Sequence, residues 1–335
     1  MMRNKTDKIV CLLVLILLFQ GCKNKEEKRI EFDNQIRVQA DSIKIDIPIS
    51  VRGWKVGEDK ISIQSGNNSD YCLYVFSVPD MNLLYRYGTY GQGPGEFIAV
   101  NWLNATGEGQ IGLYDIPNLK MYMYQLFPDT LHRIKTYHFN PWDGKLCRPY
   151  SSIQQINDSI FLLKAHMWEN TEIEVANIHT GAILNTFGPL LQREPNTLYT
   201  PFYFGMAGND QNLVLYYEYI NRLELFEYNE TAYTFNPIAA IGNDKDQSGI
   251  DVFDYILHYS DAQCDKEYIY ALYQGERREN IRNSTIEVYN WRGEPVKRII
   301  LDRFIEKMAI DVDHGKIYGC AGHQDFDYVY VYDIK

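Results

Sequence analysis

Imidazole is the side chain best suited to metal ligation and to proton transfer near neutral pH, and the chain holds seven histidines, at 132, 138, 166, 179, 258, 314 and 323. No His-Glu-x-x-His pattern joins any of them, so a helical zinc site is not expected. Asp311, Asp313 and His314 have donor types that suit a cation, yet their place just before an apolar run reads as a polar turn. Asp244, Asp246 and Asp251 lack the residue order of a calcium-binding loop. No Gly-x-Ser-x-Gly elbow is present, which leaves a serine hydrolase without support. The expectation is no catalytic residue, no metal site and no cofactor.

A second set of residues suits recognition rather than reaction. Trp168, Glu169, Tyr219, Arg222, Arg277, Arg278 and His323 combine flat aromatic faces, which stack on sugars or peptides, with charged groups that orient a ligand. They are far apart in sequence, so only a fold that gathers distant loops makes a site of them. A plain solvated rim is the alternative. A competing reading is an enzyme of lactonase or lyase type, with His166, Glu169, His258 and His323 at the mouth of the fold.

The elements that would position these residues are short apolar strands recurring about every fifty residues. Their centres are Tyr74, Tyr124, Val175, Leu225, Val288 and Tyr330. Near-even repetition of such strands predicts an all-β fold, a six-bladed β-propeller of four-stranded blades over residues 30–335. The 27 tyrosines fit half-buried, pleated surfaces between packed blades. Because the chain ends on the strand near Tyr330, the last blade lacks its outer member. An N-terminal strand at 30–38 is expected there, closing the ring, with 43–49 beginning the first blade. In such blades the turns between second and third strands emerge on the same face as the hand-overs between blades. That geometry places the candidate ligand contacts around one mouth.

The N-terminus reads as a targeting segment, residues 1–21. Arg3, Lys5 and Lys8 precede the apolar run Ile9 to Phe19, which is too short to span a bilayer comfortably. Gly21-Cys22 resembles the lipidation site of bacterial lipoproteins, although Phe19 and Gln20 depart from the usual pattern. A plain secretory peptide is the alternative. Residues 22–29 would be the lipidated cysteine and a polar tether without an apolar residue after Cys22. The net charge of −11 and the lack of a clean basic cluster exclude nucleic acid as an expected partner. Cys72, Cys147, Cys264 and Cys320 are expected as buried thiols, with a Cys72–Cys320 bridge left open.

The sharpest local stretch is Gly91-Gln92-Gly93-Pro94-Gly95-Glu96-Phe97. No Lys-Ser/Thr and no helix pattern follows, so it is not a phosphate loop. Its glycines and proline suit tight turns where one blade hands over to the next. With the strand repeat and the leader, this motif resembles the TolB-like six-bladed β-propeller lipoproteins of Bacteroides-type bacteria. The resemblance implies a lipid-anchored domain of the cell envelope, on the outer membrane. It gives Gly91, Gly93, Pro94, Gly95, Glu96 and Phe97 a structural role and no reaction. The expected function is a binding or scaffold module for a glycan, a peptide or an envelope protein.

Overall fold

Period-two alternation and strands rich in β-branched and aromatic residues dictate β structure throughout, and every regular element described in this computed structural model is a strand. The structure describes residues 30–45, 49–57, 59–66, 69–105, 107, 109–139, 150–165, 172–191, 203–243, 254–321 and 327–335. The chain forms two units, Met1–Glu31 and Phe32–Lys335, and all described strands lie in the second. Among the described residues no helix is long and apolar enough to cross a membrane.

Two short strands lead, β1 (Gln35–Val38) and β2 (Asp41–Lys44). Antiparallel runs follow: β3 (Val51–Gly57), β4 (Lys60–Ser65), β5 (Tyr71–Ser77) and β6 (Leu83–Thr89), then β7 (Val100–Asn104), β8 (Gln110–Asp115), β9 (Lys120–Leu126) and β10 (Leu131–His138). Next come β11 (Tyr150–Gln155), β12 (Ile160–Ala165), β13 (Ile173–Asn177) and β14 (Ala182–Phe187), and β15 (Phe204–Gly208), β16 (Asn212–Tyr217), β17 (Arg222–Asn229) and β18 (Thr234–Gly242). The last are β19 (Ile256–Cys264), β20 (Tyr268–Arg277), β21 (Thr285–Asn290) and β22 (Pro295–Leu301), then β23 (Lys307–Asp311), β24 (Lys316–Cys320) and β25 (Tyr328–Asp333).

Hydrogen bonding corrects the expected six-bladed count. The described strands form five sheets. Three are four-stranded (β3–β6, β15–β18 and β2-β25-β24-β23), and β19–β22 carry β1 as a fifth strand. Four sheets are thus of blade size, and β7–β14 make one eight-stranded sheet. The cause is the parallel pairing of β7 with β11, Leu103 opposite Ile153 and Asn104 opposite Gln154. It fuses two meanders that the sequence presents as separate blades. Among the described residues no sheet closes on itself.

The expected closing strand is corrected as well. Within 30–38, β1 pairs in parallel with β22, not with the last strand of the chain. The partner of β25 is β2, in antiparallel register from Asp41 opposite Val331 to Lys44 opposite Tyr328. The Ile45 amide extends that edge to the Asp327 carbonyl at 2.7 Å. Ile43 and Ile45 pack with Tyr318, Cys320, Val329 and Val331. Those apolar contacts draw residues 41–45 to the last sheet, and the first sheet begins at Val51.

Side-chain clusters join neighbouring sheets face to face. Cys72, Leu73 and Val75 of β5 meet Ile111 and Leu113 of β8. Val175 of β13 meets Leu213 and Leu215 of β16. Tyr270, Ile286 and Ile299 meet Met308, Ile317 and Tyr330. The final junction sets Tyr318 and Val329 against Trp54, Ile61 and Ile63 of the first sheet. Middle strands are consequently covered on both faces, and β4 and β12 are buried at every residue. β12 reads accordingly as a nearly continuous apolar run, whereas β4 carries Lys60, Ser62, Gln64 and Ser65 into its buried strand. Cys72, Cys264 and Cys320 are free thiols, and Cys147 lies outside the described residues.

Candidate functional site

The first strand of each run faces the centre. The inner edges of β3, β15, β19 and β23 have no strand partner, so their backbone carbonyls need other donors. Long polar side chains donate to backbone carbonyls across the gaps between runs, including those of Phe204 and Gly208 in β15 and Ser260 in β19. Lys55 Nζ donates to the carbonyls of Ala105, Gly107 and Gln110 at 2.8, 3.0 and 3.2 Å. Gln64 Nε2 reaches Val100 O at 2.8 Å, and Gln154 Nε2 reaches Gly208 O at 3.3 Å. Asn209 Nδ2 donates to Asp265 O at 2.9 Å, and Gln274 Nε2 to Ile305 O at 2.9 Å. Lys164 Nζ donates to Phe204 O, and Lys307 Nζ to Ser260 O at 3.2 Å.

All of these staples but Gln274 line a central channel. Its wider end encloses about 1000 Å³ and its narrower end about 410 Å³, and both are walled by Trp54, Trp102, Asn104, Ala262 and Gln263. Gly53 makes one wall feasible, because a Cβ there would lie 2.5 Å from Trp102 Cγ. The wider end adds Asn157, Asn177, Asn209, Tyr228 and Tyr233. Four atoms of the walls are buried with no hydrogen-bond partner among the described residues: Trp54 Nε1, Gln64 Oε1, Gln154 Oε1 and the Tyr228 hydroxyl. Both glutamine nitrogens face carbonyls, which only accept, so the amide orientation is fixed and the oxygens face the unmet side. A buried polar atom left unpaired costs about 1–3 kcal/mol.

The narrower end is charged. Lys164 is 2 % exposed, and its Nζ lies 3.9 Å from the Phe204 ring centre and 4.6 Å from that of Tyr203. Burial pushes its amine down to about 7, against a smaller upward pull from Glu218. Burial likewise raises the Glu218 carboxyl, while the Tyr219 hydroxyl, Lys307 and Arg278 pull it back. Lys307 lies 3.7 Å from Asp261. Burial would lower the Lys307 amine, but Asp261 and the surrounding phenols and Glu218 together hold it above the ordinary lysine value. Asp261 also accepts the amides of Ala262 and Met308, each at 3.0 Å. Arg278 bridges Glu306 at 3.0 Å and Glu218 at 3.9 Å.

Of the residues singled out in the sequence, Tyr219 and Arg278 are brought together around Glu218. Arg277 instead pairs with Asp254 at 2.9 Å in an exposed bridge. Arg222 is engaged in packing: its Nε donates to Glu224 Oε1 at 2.7 Å, and the buried Glu224 carboxylate accepts the amides of Leu190 and Leu191. Trp168, Glu169, His166 and His323 lie outside the described residues, as does Cys22. His258 sits against Tyr273, ring centres 5.9 Å apart. His314 Nδ1 meets the Asp311 carboxylate at 2.9 Å, which also accepts the His314 amide. Among the described residues no three His, Cys, Asp or Glu side chains converge to hold a metal ion.

The glycine motif folds on itself. Gly91 N donates to Phe97 O and Phe97 N to Thr89 O, both at 2.9 Å, and the Gly93 amide meets Glu96 Oε2 at 2.7 Å. Phe97 is buried beside Cys72 and Val75. The residues that the sequence analysis missed are Trp54, Gln64, Trp102, Gln154 and Lys164. Part of their signal was available: Lys164 interrupts a strand that is otherwise apolar and buried at every residue, whereas Gln64 stands in a strand of alternating polar and apolar residues.

In fold, the chain is similar to a Bacteroides fragilis protein described as exported, at 13 % identity and a TM-score of 0.55, over 90 % of this chain and 100 % of that one. A member of the DUF4221 family from Bacteroides vulgatus gives 13 % identity and a TM-score of 0.55, over 88 % and 98 %. The β-propeller domain of Cps50 (Swd1) from Myceliophteria thermophila gives 7 % and 0.52, over 88 % and 100 %. At such identities the likeness concerns the fold alone. No curated protein matches the sequence at a significant level. The family described as TolB-like 6-blade propeller-like matches residues 31–314. In this chain the hydrogen-bonded sheets divide into four of blade size and one of eight strands. By that match over most of its length, the chain belongs to the TolB-like 6-blade propeller-like family.

Proposed function

We propose that this chain is a cell-envelope binding protein whose central channel holds an oligosaccharide. The observation that carries the reading is the set of four buried, unpaired atoms on the channel wall, the Trp54 donor, the Gln64 and Gln154 acceptors and the Tyr228 hydroxyl. A sugar hydroxyl both donates and accepts, so one polyol satisfies both kinds. Trp102 and the tyrosines of the wider end offer flat faces for the sugar ring. Tyr219 and Arg278 would contact the ligand at the narrower mouth. The leader at 1–21 and the lipidated Cys22, with its tether to 29, would hold the domain at the outer membrane.

A glycan array probed with the full chain tests the channel. Trp102→Ala should weaken the best glycan by about 2 kcal/mol, the loss typical of a buried aromatic anchor. A blank array, or a Trp102→Ala protein that binds as the parent does, overturns the assignment. Cys22→Ser (C22S) should move the protein from membrane to soluble fractions. Sedimentation of that variant with membranes at high salt would refute the lipid anchor.

A further inference from the structure

Lys164 is a buried lysine without a counter-ion, an ammonium at pH 6. It lies on the wall of the narrower end, and among the described residues no carboxylate stands within ion-pair distance of it. The neighbouring acids are otherwise engaged: Asp261 with Lys307, Glu306 with Arg278, and Glu218 with Tyr219 and Arg278. An ammonium has three protons to donate. Lys164 gives one to the Phe204 carbonyl, and its aromatic contacts with Phe204 and Tyr203 take no hydrogen bond. Two donors are left facing a cavity of about 410 Å³. Buried charges in proteins are paired or they carry a large desolvation cost.

We infer that the narrower end of the channel seats a carboxylate of the ligand against Lys164, so that the ligand is an acidic saccharide of the uronic-acid class. The inference rests on the oligosaccharide reading of the channel and sharpens it. The acid group would fill the counter-ion position, while the ring and hydroxyls extend toward Trp54, Trp102 and Gln154. Tyr203, 44 % exposed, lies over the Lys164 head and walls one side of this seat.

An oligogalacturonate and its methyl ester separate charge from shape, because the ester is a neutral near-isostere. Titrated calorimetrically into the full chain at pH 6, the acid should bind about tenfold or more tightly than the ester, the gain expected from a charge-assisted hydrogen bond. Lys164→Met should abolish that preference and leave the ester's affinity unchanged. Should that variant fail to fold, the parent protein supplies the test. Affinity for the acid should fall by about tenfold or more between pH 6 and pH 9 as the ammonium is lost, with the ester unaffected. Arg52, Tyr203, Tyr216, Glu218, Asp261, Glu306 and Lys307 also face the cavity; the neutral ester controls for changes in the cavity itself, and Lys164→Met, which keeps these groups, controls for their pull on the acid. Equal binding of acid and ester, or a flat pH profile, overturns the carboxylate seat but leaves an array-positive channel standing. If neither ligand binds and the glycan array is blank, the channel reading fails and the seat falls with it.

Discussion

Replacing Lys164 by methionine removes a buried charge at nearly constant volume, and its effect on stability can be worked from the surroundings. The native amine is pushed down to about 7 from its ordinary 10.5. Between those values the unfolded chain holds more protons than the native one, so native stability rises with pH. Near pH 7 the buried ammonium costs about 4 kcal/mol relative to the unfolded chain, and near pH 9.5 only about 1. The variant escapes that cost but leaves the Phe204 carbonyl without its donor, a loss of about 1–3 kcal/mol. The methionine sulfur keeps favourable contact with the Phe204 and Tyr203 rings. The variant should therefore be the more stable protein at pH 7, by about 1–3 kcal/mol. At pH 9.5 that advantage should shrink by about 3 kcal/mol, to parity or reversal. Lys55, pushed down to about 8 by burial, adds the same pH trend to both proteins and cancels in the difference. Urea unfolding at the two pH values, read by tryptophan fluorescence with equal slopes, measures the quantity. A difference that does not move with pH, or a variant that is weaker at pH 7, would refute the uncompensated charge.

Other perturbations probe the frame around the channel. Ser284 Oγ bonds Gln274 Oε1 at 2.8 Å and Ile305 O at 3.0 Å and accepts the Ile305 amide at 2.9 Å, all buried. Ser284→Ala strands the Gln274 oxygen and the Ile305 N–H and should cost about 2–4 kcal/mol in urea; a loss under about 1 would mean that water takes over. Gly53→Ala drives a methyl into Trp102 and should cost about 1–3 kcal/mol while shifting the near-ultraviolet tryptophan signal. An unshifted spectrum at parent stability would show that the wall yields freely. Truncation through Lys44 should lower the melting temperature far more than truncation through Val38, because only the former uncovers the edge of β25. Equal losses would mean that β2 adds nothing to stability.

The strand cores were legible because their burial is two-sided. The centres Tyr74, Tyr124, Val175, Leu225, Val288 and Tyr330 all fall in the third strand of a run, where neighbouring sheets cover both faces. The sheet count was not legible. It turns on two residue pairs between β7 and β11, and the approach of two inner strands leaves no trace in apolar periodicity. The N-terminal strands were misassigned for a related reason. β1 and β2 are four residues each and largely exposed, so their local patterns are nearly equivalent, and the deciding contacts lie almost the whole chain away. Bulges were also invisible, although they recur between third and fourth strands at Val75/Phe76, Val175/Ala176, Leu225/Phe226 and Val288/Tyr289. A bulge needs only one extra residue and tightens the twist of the outer strand.

The expected site lay in the loops of one mouth, where binding residues concentrate, whereas Trp54, Gln64, Trp102, Gln154 and Lys164 of the channel wall lie in strands. The informative residues were those whose type contradicts their strand, since local rules are broken mainly where something is gained. Lys164 closes the run Ile160-Phe161-Leu162-Leu163, all buried, and Gln64 stands in a strand buried at every position. Lys55, in the mixed and partly exposed β3, is a second lysine whose amine burial pushes down, and geometry separates the two. All three protons of Lys55 meet carbonyls on the neighbouring run, which makes it a structural staple that ties β3 to the eight-stranded sheet. Lys164 meets a single carbonyl and keeps two donors at the cavity. A staple needs no ligand to complete it, and a half-bonded ammonium at a cavity wall does.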